Sequence, residues 1–198
     1  MKWKGNMNDF PDGHLVEQAK KGNIDAFTEL ARRYQERIYQ TILWLTRNNL
    51  DADDLAQETF MHAFKCIKDF KQRSGFYTWI YRIAVNLTLN FLKKRNREKN
   101  KKEALLENFN IEKNPEKANL SPEKHSLRKE LRKKLNEAVD SLPLHYRASF
   151  ILVVFQGMTH YQASQVLRCS ENTVSWRMHK ARKMLQVKLL PYLEGDWK

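Results

Sequence analysis

Apolar residues recur every three to four positions along most of this chain, and the intervals break at a small number of polar clusters. Phe27, Leu30, Tyr34, Ile38, Ile42 and Leu45 fall on one side of a helix at about 100° per residue, with Asp25 placed to cap it. After Asn48-Asn49 a second period starts around Asp51 and carries Ala56, Phe60, Ala63, Ile67 and Phe70 inward, until Lys71-Gln72-Arg73-Ser74-Gly75 breaks it. A third helix from about Thr78 turns Trp79, Ile83, Leu87 and Phe91 inward. With a minor helix over Leu15–Lys20, these segments predict one helical domain over residues 1–96.

From Arg97 to about Lys124 the apolar residues thin out, charges alternate, and Pro115 and Pro122 interrupt any long helix. That composition predicts a flexible linker over 97–124, with some helix near Glu103 to Phe109. A second domain over 125–198 then opens with Leu127, Leu131, Leu135, Ala138 and Leu142 on one helix, which Pro143 ends. Tyr146 to Phe155 form a strongly apolar successor. Strand signals are weak and only six glycines occur, so the fold class expected is all-α: two small helical domains joined by a linker.

The densest pattern lies between Thr159 and Lys183. Thr159 and Gln162 have the spacing of a capping box, and Ser170 stands where the next N-cap belongs. Val174, Met178, Ala181, Leu185 and Leu189 share one face of the helix that follows. Asn172, Trp176, His179, Lys180 and Lys183 fall opposite, flanked by Thr173, Ser175, Arg177 and Arg182. A capped helix, a three-residue turn and a second helix with a basic, aromatic free face suit docking in a DNA major groove.

Charge supports a polyanionic partner. The net charge is +13 over 198 residues, and each phosphate contact releases condensed counterions. The excess is uneven: residues 93–134 carry 15 basic and 7 acidic side chains, and Lys93–Lys102 has seven basic residues in ten. The two cysteines, Cys66 and Cys169, form no CxxC spacing and fit a reducing cytosol. No leader and no apolar run of about 18 residues stands out, so direct membrane insertion is not expected and the cytoplasm is the expected location.

Two further segments carry chemistry. Between Phe70 and Asn86, the rings of Phe70, Phe76, Tyr77, Trp79 and Tyr81 surround Arg73 and Arg82. Aromatics beside basic residues suit unstacked bases, each stacked base contributing roughly 1–3 kcal/mol. Trp79 keeps phase with Ile83 and Leu87 and reads as core; for Phe70, Phe76 and Tyr77 both core and base-stacking readings stand. The segment Asp51–Phe60 exposes Asp53, Asp54, Gln57 and Glu58. On a basic chain such a face repels DNA and fits a basic protein surface; it is also what a solvated helix start looks like.

DADDLAQETFMHAF, FYTWIYRIAVN and LPLHYRASFILVVFQGMTHYQASQVLRCSENTVSWRMHKAR resemble, in this order, the blocks of bacterial sigma factors of the extracytoplasmic-function (ECF) group, within the sigma-70 family. The resemblance covers most of residues 25 to 190. It implies a region 2 bundle and a region 4 helix-turn-helix that bind core RNA polymerase and promoter DNA, in a stress or envelope response. It implies that Asp53, Asp54, Gln57 and Glu58 meet the polymerase. Phe70, Arg73, Phe76, Tyr77, Arg82 and Asn86 would then hold the opened −10 element. Asn172, Thr173, Ser175, Trp176, Arg177, His179, Lys180 and Lys183 would read the −35 element. It further implies an anti-sigma factor as regulator, no cofactor, no metal and no catalysis.

The chain departs from the pattern where the family usually has Gly at the tight turn, here Arg168, and an aliphatic residue next, here Cys169. Asn172 replaces the usual Gly at the head of the reading helix, and Trp176 stands where a small or basic residue is common. Two other functions compete. One is a stand-alone helix-turn-helix regulator that binds duplex DNA as a dimer. The other is a metal-dependent nuclease built on Asp54, Glu58 and His62, with Glu29 and Glu36 as scattered candidates on the neighbouring helix.

Overall fold

A computed structural model describes residues 10–72, 74–106 and 127–193, with the backbone alone for 102–106, 127–132, 191 and 193. Every regular element among the described residues is helical. The chain runs through α1 (Asp12–Lys20), α2 (Ile24–Thr46), α3 (Asn49–Cys66), α4 (Phe76–Leu106), α5 (Leu127–Asp140), α6 (Leu144–Phe150), α7 (His160–Leu167) and α8 (Glu171–Leu193).

Helices α1 to α4 form the first bundle, with α2 packed against α1, α3 and α4. Its core is Leu15, Leu30, Ile38, Ile42, Leu45, Ile80 and Val85, all nearly inaccessible. The start of α2 differs from the sequence reading: Asn23, not Asp25, is the cap, its Oδ1 accepting from the Ala26 N–H at 3.1 Å. In the same way Asn48 caps α3 through the Asp51 N–H. The buried stripe of α3 is Ala52, Leu55, Thr59 and Ala63, one position round from the expected Ala56 and Phe60, which are half-buried. Thr59 fits inside because its hydroxyl donates to the Leu55 carbonyl at 2.7 Å, so its own polar group is paired.

Helix α4 departs in two ways. It starts at Phe76, and it continues to Leu106, ten residues beyond where thinning apolar residues suggested a linker. Residues 93–100 are exposed around the whole circumference; continuation from a packed helix avoids a second nucleation step, so no apolar face is needed there. The linker expected beyond this point lies outside the described residues.

Helices α5 to α8 form the second bundle, with α6, α7 and α5 packed on α8. Pro143 precedes α6, as the sequence indicates, and α6 passes into a π-helical turn at Ile151–Phe155. The expected inward residues Leu127 and Leu131 lie outside the described side chains, whereas Ala138, Val139 and Leu142 are buried.

The two bundles touch. Helix α7 lies on α4, and α6 with its π turn lies on α2. The rings of Trp44 and Phe155 sit 4.6 Å apart. Arg147 donates to the Leu45 carbonyl at 3.0 Å, and Arg47 pairs with Asp140. Burial, then the charge of Arg147, holds the Arg47 guanidinium down to about 10.

Candidate nucleic-acid interfaces

The helix-turn-helix is built from its caps. The Gln162 N–H donates to Thr159 Oγ1 at 3.1 Å, and the Thr159 N–H donates to Gln162 Oε1 at 2.9 Å. This reciprocal pair satisfies donors at the start of α7. At the other end Arg168 takes φ 51° and ψ 48°, with its N–H on the Ser164 carbonyl. The left-handed turn that usually takes Gly is thus kept by a non-glycine residue. Ser170 then accepts from the Thr173 N–H at 3.1 Å and starts α8.

With α8 fixed, its faces separate as the pattern indicates. Val174, Met178, Ala181 and Leu185 are buried, while Asn172, Ser175, Trp176, His179, Lys180, Arg182 and Lys183 are exposed. Thr173 and Arg177 are half-buried, because Arg177 leans back toward the turn and reaches Cys169 Sγ at 3.8 Å. Trp176 is 52 % exposed and still held. Tyr146 meets it edge-on at 5.8 Å, and Lys180 Nζ lies 5.7 Å from its ring centre. Burial, then the charge of Arg177, pushes down the neighbouring His145.

The second candidate surface lies at the start of α4. Two of its expected residues are not on it: Phe70 and Phe76 are buried at 6 % and 4 % exposure. Phe70 stacks on Trp79 at 4.7 Å and Phe76 packs on Tyr34 at 5.5 Å, so core packing claims both rings. They brace the loop and offer no free face to a base. Arg73 lies outside the described residues. Tyr77, Arg82 and Asn86 remain partly accessible, and Arg82 Nε is buried without a hydrogen-bond partner among the described residues.

Sequence reasoning assigned no site role to two groups beside them. The Arg37 guanidinium from α2 lies 5.3 Å from the Tyr77 ring centre, and Tyr81 sits one turn after Tyr77 with ring centres 4.7 Å apart. The Tyr77–Tyr81 spacing was legible; Arg37 was not, because its neighbour lies 40 residues away.

The third surface is on α3, where Asp53, Asp54, Gln57 and Glu58 are all exposed. Asp54, Gln57, Glu58, Met61, His62 and Lys65 line a shallow open groove, and Met61 and Phe64 add exposed apolar area beside it. No group of three or more His, Cys, Asp or Glu among the described residues is placed to hold a metal ion. Neither cysteine is disulfide-bonded, and both are half-buried.

Two stretches of the chain match known families. Sigma-70 region 2 matches residues 30–98, and sigma-70 region 4 matches residues 132–185. The chain belongs to the ECF group of the sigma-70 family. It is 32 % identical over 184 residues to the RNA polymerase sigma-H factor of Pseudomonas aeruginosa, covering 92 % of this chain and 95 % of that one. It is 30 % identical over 186 residues to the ECF RNA polymerase sigma-E factor of Haemophilus influenzae, covering 92 % and 97 %. Among solved structures, CnrH in complex with the cytosolic domain of CnrY matches with a TM-score of 0.65 and 25 % identity, over 90 % of this chain and 96 % of that one. In sigma-factor terms, the region 2 match falls within α2 to α4 and the region 4 match within α5 to α8. The chain is therefore a promoter-directing subunit of RNA polymerase. No described helix is long and apolar enough to cross a membrane.

Proposed function

We propose that this ECF sigma factor docks on core polymerase through Asp53, Asp54, Gln57 and Glu58, holds the opened −10 strand at the start of α4, and reads the −35 duplex with α8. The observation that carries the reading is the division of surfaces. One exposed acidic face on α3 belongs to an otherwise basic chain, and an exposed Trp, His and Lys face on α8 stands on a fully capped helix-turn-helix. Acidic side chains favour a basic protein partner, while the α8 face suits phosphates and base edges.

On the −10 side the proposed contacts are Tyr77, Arg82 and Asn86, with Arg73 from the sequence pattern. Phe70 and Phe76 act through the core. On the −35 side they are Asn172, Thr173, Ser175, Trp176, Arg177, His179, Lys180 and Lys183. The chain itself catalyses nothing: it positions DNA, and the polymerase makes the phosphodiester bonds in the cytoplasm. An anti-sigma factor is the proposed regulator, by analogy with a solved structure of similar fold, the sigma factor RpoE of Bartonella quintana in complex with the anti-sigma factor NepR.

Tethering two weak readers on one polymerase makes the second contact intramolecular. Free protein is therefore expected to bind promoter duplex weakly and with strong salt dependence. Run-off transcription with purified core polymerase over genomic fragments tests the proposal. Promoter-dependent transcripts are expected, and their absence on every template rejects it. Tight operator binding by a dimer without polymerase would favour the stand-alone regulator.

A further inference from the structure

Three donors of region 2 converge on one residue of region 4. Tyr81 donates from its hydroxyl to Gln156 Oε1 at 2.7 Å, and Tyr77 donates to the Gln156 carbonyl at 2.8 Å. Arg37 reaches the same carbonyl at 3.3 Å and Oε1 at 3.4 Å. Tyr81 has no accessible surface, and a buried phenol needs an acceptor. Here that acceptor is 75 residues away in sequence, on the other domain. Around this knot the seam is held by further polar contacts, Arg47 with Asp140 and Arg147 with the Leu45 carbonyl. Such polar seams are typical of domains that separate.

Promoter reading requires that separation. The −35 and −10 elements lie about 25 base pairs apart, about 85 Å along the duplex at 3.4 Å per pair. Gln156 stands three residues before the Thr159 cap of the helix-turn-helix and within hydrogen-bond distance of α4. One compact body cannot span both elements. When region 4 leaves for the −35 element, two phenols and a guanidinium lose the acceptor they share.

We infer that Arg37, Tyr77 and Tyr81 form a binding pocket for an oxygen acceptor of single-stranded DNA, and that Gln156 plugs this pocket while the two domains are closed. The inference rests on the promoter reading above and adds two residues and a switch to it. Amide and carbonyl oxygens of Gln156 stand in for a base carbonyl or a phosphate oxygen. The exchange costs little, since each hydrogen bond to Gln156 is replaced by one to the strand. In the closed chain the apparent affinity is lowered by the fraction that is open.

The test is fluorescence anisotropy of the full-length chain with fluorescein-labelled dT12 and dA12, without polymerase. A Gln156→Ala/Asp140→Ala double variant, which removes the plug's side chain and one tie of the seam, is expected to bind about tenfold more tightly than wild type. Adding Tyr81→Phe to it should abolish the gain. A gain on both oligonucleotides marks a phosphate ligand, and a gain on dT12 alone marks a base carbonyl. No gain on either overturns the inference, as does a gain that survives Tyr81→Phe. Run-off transcription by wild type keeps the two levels apart. Transcripts without any gain in the double variant sink the plug alone, whereas no transcripts sink the promoter reading beneath it.

Discussion

The rings of Tyr146, at the start of α6, and Trp176 on α8 meet edge to face, with ring centres 5.8 Å apart and planes inclined by 62°. An exposed Trp on α8 would otherwise sample several rotamers, and this contact, with the Lys180 ammonium 5.7 Å from the ring centre, limits them. Trp176 thus presents a fixed apolar edge suited to a thymine methyl or to the sugar backbone. Trp176→Ala should weaken binding to −35 duplex by about 1–3 kcal/mol and change its base preference. Competition binding by the polymerase-bound factor against single-base −35 variants checks this. Unchanged affinity and preference would remove Trp176 from the contact set.

The acidic face of α3 makes an electrostatic prediction. Asp54→Lys with Glu58→Lys reverses two exposed charges that line one groove, away from any buried contact. Thermal stability should hold within about 0.5 kcal/mol, while affinity for core polymerase should fall at least tenfold. The fall should shrink as salt is raised, because exposed charges are screened. Pull-down or anisotropy with purified core at two salt concentrations reads it.

The turn of the helix-turn-helix carries backbone strain at Arg168, whose φ is 51°. A side chain in this left-handed region costs roughly 1–2 kcal/mol, which glycine avoids. Part of that gain is lost to the extra freedom of an unfolded glycine. Arg168→Gly is therefore expected to stabilise the chain by about 0.5–1 kcal/mol in urea unfolding. Thr159→Ala should do the opposite by about 1 kcal/mol, through loss of the capping box. If Arg168 also reaches a phosphate, the glycine variant will lower the salt slope of duplex binding by about one.

Acid should weaken region 2 through a single carboxylate. Glu29 is 7 % exposed and receives the side chains of Arg32 and Arg33, each at 2.8 Å. Hydrogen bonds from Arg32 and then Arg33 outweigh burial and hold its carboxyl down to about 2. A carboxylate depressed in the folded state stabilises fully above its unfolded value and loses that contribution as pH falls toward the folded one. Glu29→Gln should cost on the order of 2 kcal/mol at pH 7. The gap from wild type should narrow from about pH 4.5 downward and close near pH 2. Urea unfolding of both proteins across that range measures it.

Much of this was legible before any coordinates. Helix existence, the Thr159–Gln162 box, the Ser170 cap and the two faces of α8 depend on residues within four positions of each other, so spacing alone determines them. The acidic face of α3 was readable for the same reason: at helical spacing Asp53, Asp54, Gln57 and Glu58 fall off the apolar stripe. Choices between neighbouring solutions were not. Asn23 takes the cap from Asp25, and Leu55 with Thr59 displaces Ala56 with Phe60, because the helices opposite decide which of two adjacent stripes is covered. Phe70 and Phe76 looked equally suited to a base or to a core until Tyr34 and Trp79 closed around them. Least visible was the knot of Arg37, Tyr77 and Tyr81 on Gln156. Its partners lie on α2, on α4 and just beyond the π turn, and only the folded chain brings a donor and an acceptor 75 residues apart within 2.7 Å.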